Sequence, residues 1–254
     1  MTDVLFMDDF DDPRLDLSRW IPEYLPQWSS RAAARPRYRI HDGCLVLEIG
    51  ADQAPWCPEF NGDVRVSALQ TGVFSGPLGS HVGQHRFAPE CRVREEQVAR
   101  RTFTSQYGRF EVRARCLLQP SNVAAVWLIG YEDRPERSAE ICLVEVKGGA
   151  VEKSSAVIGY GIHPFGDPAL VDEFFEEPFD VDVSDFHVYA AEWGPGGVTF
   201  SIDGRPVRSS TQSPDYPMQI MVTLYDLAPA PASAGPASTT EFWIDYVRVE
   251  EIPG

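Results

Sequence analysis

Short runs of alternating or contiguous apolar residues recur along the whole chain: Cys44 to Ile49, Val64 to Leu69, Phe110 to Cys116, Val123 to Ile129, Ile141 to Val146, Val188 to Trp193, Val198 to Ile202, Gln219 to Leu224 and Phe242 to Val249. Each has the length of a β-strand, and the 3.6-residue period of an amphipathic helix is nearly absent. Asp42-Gly43, Asn61-Gly62, Gly196-Gly197 and Asp203-Gly204 are turn dipeptides, the last placed as a hairpin to Pro206-Val207 requires. Many short strands with closely spaced turns predict an all-β chain whose two antiparallel sheets pack as a sandwich of jelly-roll type. Two stretches break the rhythm and read as long loops. Residues 75 to 100 carry glycines, prolines, His81, His85 and Arg86, and residues 226 to 240 are rich in Ala, Pro and Ser. Long loops in compact domains are usually functional or mobile.

The run from Ser138 to Lys147 sets Glu140 and Glu145 around a single thiol, Cys142, in an otherwise apolar stretch of Ile141, Leu143, Val144 and Val146. Charged residues are mostly exposed, so glutamates in a strand whose apolar flanks predict that it is covered need a reason. On a regular strand Glu145 points away from Glu140 and Cys142, because faces alternate. A one-residue bulge at Leu143 or Val144 brings all three to one face, and the two carboxylates then titrate as a pair. Such a pair suits retaining glycoside hydrolysis, in which an ionised carboxylate attacks the anomeric carbon and a protonated one serves the leaving oxygen.

Composition narrows the partners. At 254 residues, with no dividing linker, the chain is expected to form one domain over 1–254. A net charge of −16 argues against nucleic acid, and no apolar run is long enough to span a bilayer as a helix. A neutral glycan fits better. Lys147 and Lys153 are the only lysines, and the arginines between Arg86 and Arg115 either balance the surplus of carboxylates or recognise an anionic group. The five cysteines show no Cys-x-x-Cys spacing and are read as reduced. The first residues lack the features of a signal peptide, so a cytoplasmic location is expected unless a leader was removed. His81-x-x-x-His85 with Cys91 has zinc-donor residue types but no helical spacing, and hydrogen bonding to a sugar is the preferred reading of that loop.

With Glu140 and Glu145 on a bulged strand, the chain resembles glycoside hydrolase family 16, whose signature is Glu-x-Asp-x-x-Glu, or Glu-x-Asp-x-Glu without the bulge. Tyr107-Gly108-Arg109-Phe110-Glu111-Val112-Arg113 is similar to the family's strand before the catalytic region, and Ala125-Val126-Trp127-Leu128 to its Pro-Ala-Phe-Trp-Leu segment. Asp185 to Tyr189 with Glu192-Trp193 is similar to its Phe-His-x-Tyr-x-x-Glu-Trp strand. Asp203-Gly204 and Asp245 to Val249 resemble its later hairpin and closing strand. The resemblance runs from about Asp9 to Val249 and implies a concanavalin A-like jelly roll.

The resemblance also implies roles. Glu140 falls on the nucleophile and Glu145 on the general acid/base of a retaining, endo-acting enzyme that cleaves a β-linked poly- or oligosaccharide. Cys142 replaces the aspartate that hydrogen-bonds the nucleophile, and a thiol is a weak donor. A weakly active or non-catalytic sugar-binding protein of the same fold is therefore the alternative. Val123 stands where the family has a tryptophan. Trp127 and His163 fall in the family's cleft, with His85, Arg86, Trp28 and Tyr24 as further substrate contacts, while Trp20, Trp56, Trp193 and Trp243 are assigned to packing. No cofactor is required by this chemistry, and Asp245, near Asp9 or Asp11, resembles the family's structural calcium site.

Overall fold

A computed structural model describes residues 3–227 and 240–252. Its strands in chain order are β1 (Val4–Asp8), β2 (Arg37–His41), β3 (Cys44–Ile49), β4 (Arg65–Gln70), β5 (Gly72–Val73), β6 (Arg100–Arg101), β7 (Gly108–Leu117) and β8 (Asn122–Gly130). There follow β9 (Glu140–Val151), β10 (Ala156–His163), β11 (Glu173–Phe179), β12 (His187–Gly194), β13 (Gly197–Ile202), β14 (Arg205–Ser210), β15 (Met218–Asp226) and β16 (Thr240–Glu250). One sheet runs β14-β13-β12-β7-β16-β3-β2, with β1 added on β16, and the second runs β11-β10-β9-β8-β15-β4. The pairings within both are antiparallel, and the expected two-sheet sandwich is the observed fold.

Side-chain alternation explains why the second sheet reads as continuous apolar sequence. In β8, Ala124, Val126 and Leu128 enter the core between the sheets, whereas Ala125, Trp127 and Ile129 enter a second cluster on the outer face. That outer cluster is roofed by Leu25, Trp28, Trp56, Cys57, Cys91 and Val93, from segments that precede β4 or connect β5 to β6. A strand covered on both faces loses the polar half of its pattern.

Each apolar run named above lies on a strand. The structure adds β1, β2, β5, β6, β10 and β11, and the hairpin partner expected at Pro206-Val207 is β14. In β10, Gly159 lies against Phe174, where a Cβ would come within 2.7 Å of the ring, and Gly161 has φ +141° against the Glu173 carbonyl. These glycines break the apolar period but let β11 approach. β11 is an edge strand of charged and aromatic residues, a composition that discourages further pairing. Asp42-Gly43 (φ 52° and 67°) and Asp203-Gly204 (φ 50° and 73°) make the left-handed turns of the β2–β3 and β13–β14 hairpins. Asn61-Gly62 instead closes a one-turn helix, Pro58–Asn61. The Ala/Pro/Ser-rich stretch falls at 228–239, outside the described residues.

Candidate active site

The bulge lies at Leu143. On β8, Val126 pairs with Val144 and Trp127 with Cys142, which leaves Leu143 without a partner. Leu143 and Val144 therefore both enter the inter-sheet core, while Cys142 joins the outer cluster and Glu140 and Glu145 line one cavity above it. The cavity measures about 970 Å³, at the upper end of the ~300–1,000 Å³ usual for ligand sites.

The two carboxylates sit in unlike surroundings. Glu140, in the wall between Ile129 on β8 and His163 on β10, receives no hydrogen bond among the described residues. Burial first and the Glu145 charge second push its carboxyl up to about 8. Glu145 is opposite Ala125 and Gly159 and lies 3.4 Å from Lys147 Nζ. Lys147 also donates to Glu176 at 2.7 Å, and that bond leads the effects that hold its ammonium charged. Cys142, 1% exposed, makes no hydrogen bond to either glutamate among the described residues, and burial pushes its thiol up.

This state of Glu140 has a consequence for stability. An unfolded glutamate ionises near 4.5 and the folded one near 8, so the folded state binds its proton more tightly. Below pH 4.5 both states are protonated and nothing is lost; between 4.5 and 8 stability falls as pH rises; above 8 the loss is complete. Glu140→Gln is expected to melt like wild type at pH 4 and several degrees above it at pH 8.5, given ~2–4 °C per kcal/mol for domains of similar size. A difference that does not depend on pH would show that Glu140 ionises normally.

The loop that follows β5 forms one wall of the cavity. Gln27 and Trp28 both donate side-chain N–H groups to the Gln84 carbonyl, and Gln84 Oε1 accepts the Phe74 N–H. His81 Nδ1 pairs with the Cys91 carbonyl at 2.8 Å. So fastened, the loop presents His85 with its ring 5.3 Å from that of Trp127 and 5.0 Å from that of Phe165. Burial, with His163 adding, lowers the His85 imidazole to about 4, so it is neutral at pH 7.

The other sequence-derived residues distribute as follows. Trp127 lines the floor, its indole N–H donating to Thr223 at 3.1 Å. Tyr24 lines the cavity, and its hydroxyl accepts from that of Tyr225 at 3.1 Å. His163 faces it too, stacked 4.5 Å from Phe174 with Nδ1 2.6 Å from Asp172. Arg86 is at the rim, where its guanidinium donates to the Pro89 carbonyl. Trp28 is not on the cavity surface: it is wholly buried beneath the loop it anchors.

Asp245 Oδ2 is taken by Arg113 at 2.7 Å, and among the described residues no group of three or more His, Cys, Asp or Glu is arranged to hold a metal ion. Sequence reasoning missed Glu132, Phe87, Phe165, Lys147 and Tyr225, and it assigned Trp56 to packing although that ring lines the wall. The only available signal was proximity: Glu132 and Lys147 lie close to the apolar runs that carry Trp127 and Glu145.

A model of the glycosyl hydrolases family 16 matches residues 93–248. The GlcNAcα1-4Gal-releasing endo-β-galactosidase from Clostridium perfringens superposes with a TM-score of 0.83 at 28% identity, covering 98% of this chain and 62% of that one. This chain thus corresponds to under two thirds of that protein. The laminarinase catalytic domain of Thermotoga petrophila (TM-score 0.66, 16% identity, 100% of this chain and 99% of that one) shares the fold. So does a structure described with endo-acting O-glycanases of the human gut microbiota (0.66, 19%, 99% and 100%). Comparison with curated proteins returns no match. Order of strands, bulged carboxylate pair and family match agree, and the chain belongs to glycosyl hydrolase family 16.

Proposed function

We propose that the chain is a retaining, endo-acting glycoside hydrolase that cleaves a β-linked poly- or oligosaccharide. The observation that carries this reading is the pair Glu140 and Glu145, brought to one cleft by the bulge at Leu143 in a family 16 fold. Glu140 attacks the anomeric carbon and displaces the leaving oxygen, to which Glu145 gives its proton. Glu145 then takes a proton from water, which releases the sugar from Glu140 with its configuration retained. For that cycle Glu140 must be ionised and Glu145 must carry a proton when substrate is bound, since the first attacks and the second protonates the leaving oxygen. Sugar hydroxyls donating to Glu140 supply bonds that the protein itself withholds.

The likeness to the endo-β-galactosidase makes a galactose-containing glycan the first substrate to test. Incubation with galactan, laminarin and mucin O-glycans, followed by assay of new reducing ends and NMR of the first anomer formed, tests the reading. Release of oligosaccharides with the β-anomer first is the expected result. An α-anomer first would remove the retaining mechanism.

A second reading, a glycan-binding protein without turnover, is favoured by one observation: the buried Glu140 carboxyl, raised to about 8, has only a thiol beside it where an acidic donor is expected. Binding of a glycan in calorimetry with no new reducing ends would establish it.

A further inference from the structure

Three residues other than glycine with left-handed backbones meet at one end of the cleft: His85 (φ 45°), Glu132 (φ 56°) and Phe165 (φ 43°). Such conformations are strained where side chains must be carried, and they persist where the surroundings over-determine them. Two of the three bear surfaces that the rest of the fold leaves unused. Glu132 is only 9% exposed, and Oε1 accepts the His85 backbone N–H. Its other oxygen has no hydrogen bond among the described residues, although the side chain borders the cavity. Phe165 is the converse, a large apolar ring left 52% exposed at the cavity rim, edge-on to His85. An exposed aromatic face beside a half-satisfied carboxyl is what a pyranose needs, since its C–H face packs on a ring while its hydroxyls require polar partners.

We propose that Glu132 and Phe165 form a separate glycosyl subsite, in which Phe165 stacks on a neutral sugar unit and the free oxygen of Glu132 hydrogen-bonds one of its hydroxyls. The subsite rests on the reading of this cleft as a glycan site and adds to it a residue pair that selects for chain length. Burial pushes the Glu132 carboxyl up to about 8, opposed by the His85 N–H, so at pH 7 it can donate as well as accept.

The test is calorimetric, with short and long members of one neutral series, laminaribiose and laminarihexaose or the equivalent galacto-oligosaccharides, titrated into the full chain. The ratio of long- to short-probe affinity is expected to fall about tenfold in Phe165→Ala and in Glu132→Leu, the worth of one good contact, and to recover in Glu132→Gln. Phe165 is at the rim and supports no described hydrogen bond of the loop, so its variant reports on the subsite even where Glu132→Leu disturbs the fold. An unchanged ratio in Phe165→Ala overturns the subsite while the cleft remains a glycan site. Wild-type protein that binds neither series overturns the cleft reading, and the subsite with it.

Discussion

Glu140→Gln is expected to lower glycan cleavage by about 10⁴- to 10⁶-fold, the range seen when a nucleophile is removed from an enzyme that uses it covalently. The amide fills the same volume in the wall between Ile129 and His163 and cannot form the glycosyl ester. Binding should survive, because Trp127, Tyr24 and the loop wall are untouched. The measurement is kcat from reducing-end release beside Kd from calorimetry. Cleavage at the wild-type rate would sink the covalent role of Glu140.

Cys142→Asp is expected to raise turnover by about 5- to 150-fold. The side chain lies between the two glutamates, and at that depth an aspartic acid stays protonated and can donate to Glu140. A bond to a charged group is worth on the order of 1–3 kcal/mol in the step where Glu140 must be ionised. The same bond lowers the pH at which Glu140 loses its proton, so the ascending limb of the kcat/KM profile should move down from about 8. The cost falls on stability, because the thiol now packs with Trp127, Ala125 and Met221. Cys142→Ser, a neutral donor of similar size, should change little. A Cys142→Asp variant that folds and is no faster, with its limb unmoved, would show that the thiol is not what limits this pair.

The strands legible in the sequence were those with an unbroken apolar pattern, and the central ones around Glu140 fell into that class because both faces of their sheet are covered. β10 and β11 were hidden by the features that let them pack together, glycines in one and charges on the edge of the other. The bulge followed from parity alone: an odd separation between two residues that must share a face demands one extra residue. The cleft walls carry no such arithmetic. Glu132 and Phe165 come from turns whose left-handed backbones leave no periodic trace, and Trp56 is indistinguishable in sequence from a core tryptophan until the loop is placed beside it.

The extra residue at Leu143 has an evolutionary side. An insertion or deletion inside a strand ordinarily exchanges inside for outside for everything downstream. At this position it does not, because the supernumerary side chain is absorbed by the core while Glu140, Cys142 and Glu145 keep their rows opposite Ile129, Trp127 and Ala125. The strand therefore has one site where its length can change without moving the chemistry. Core packing and the carboxylate pair are encoded in different letters of the same ten-residue stretch, and each can be rewritten by mutation while the other is held constant.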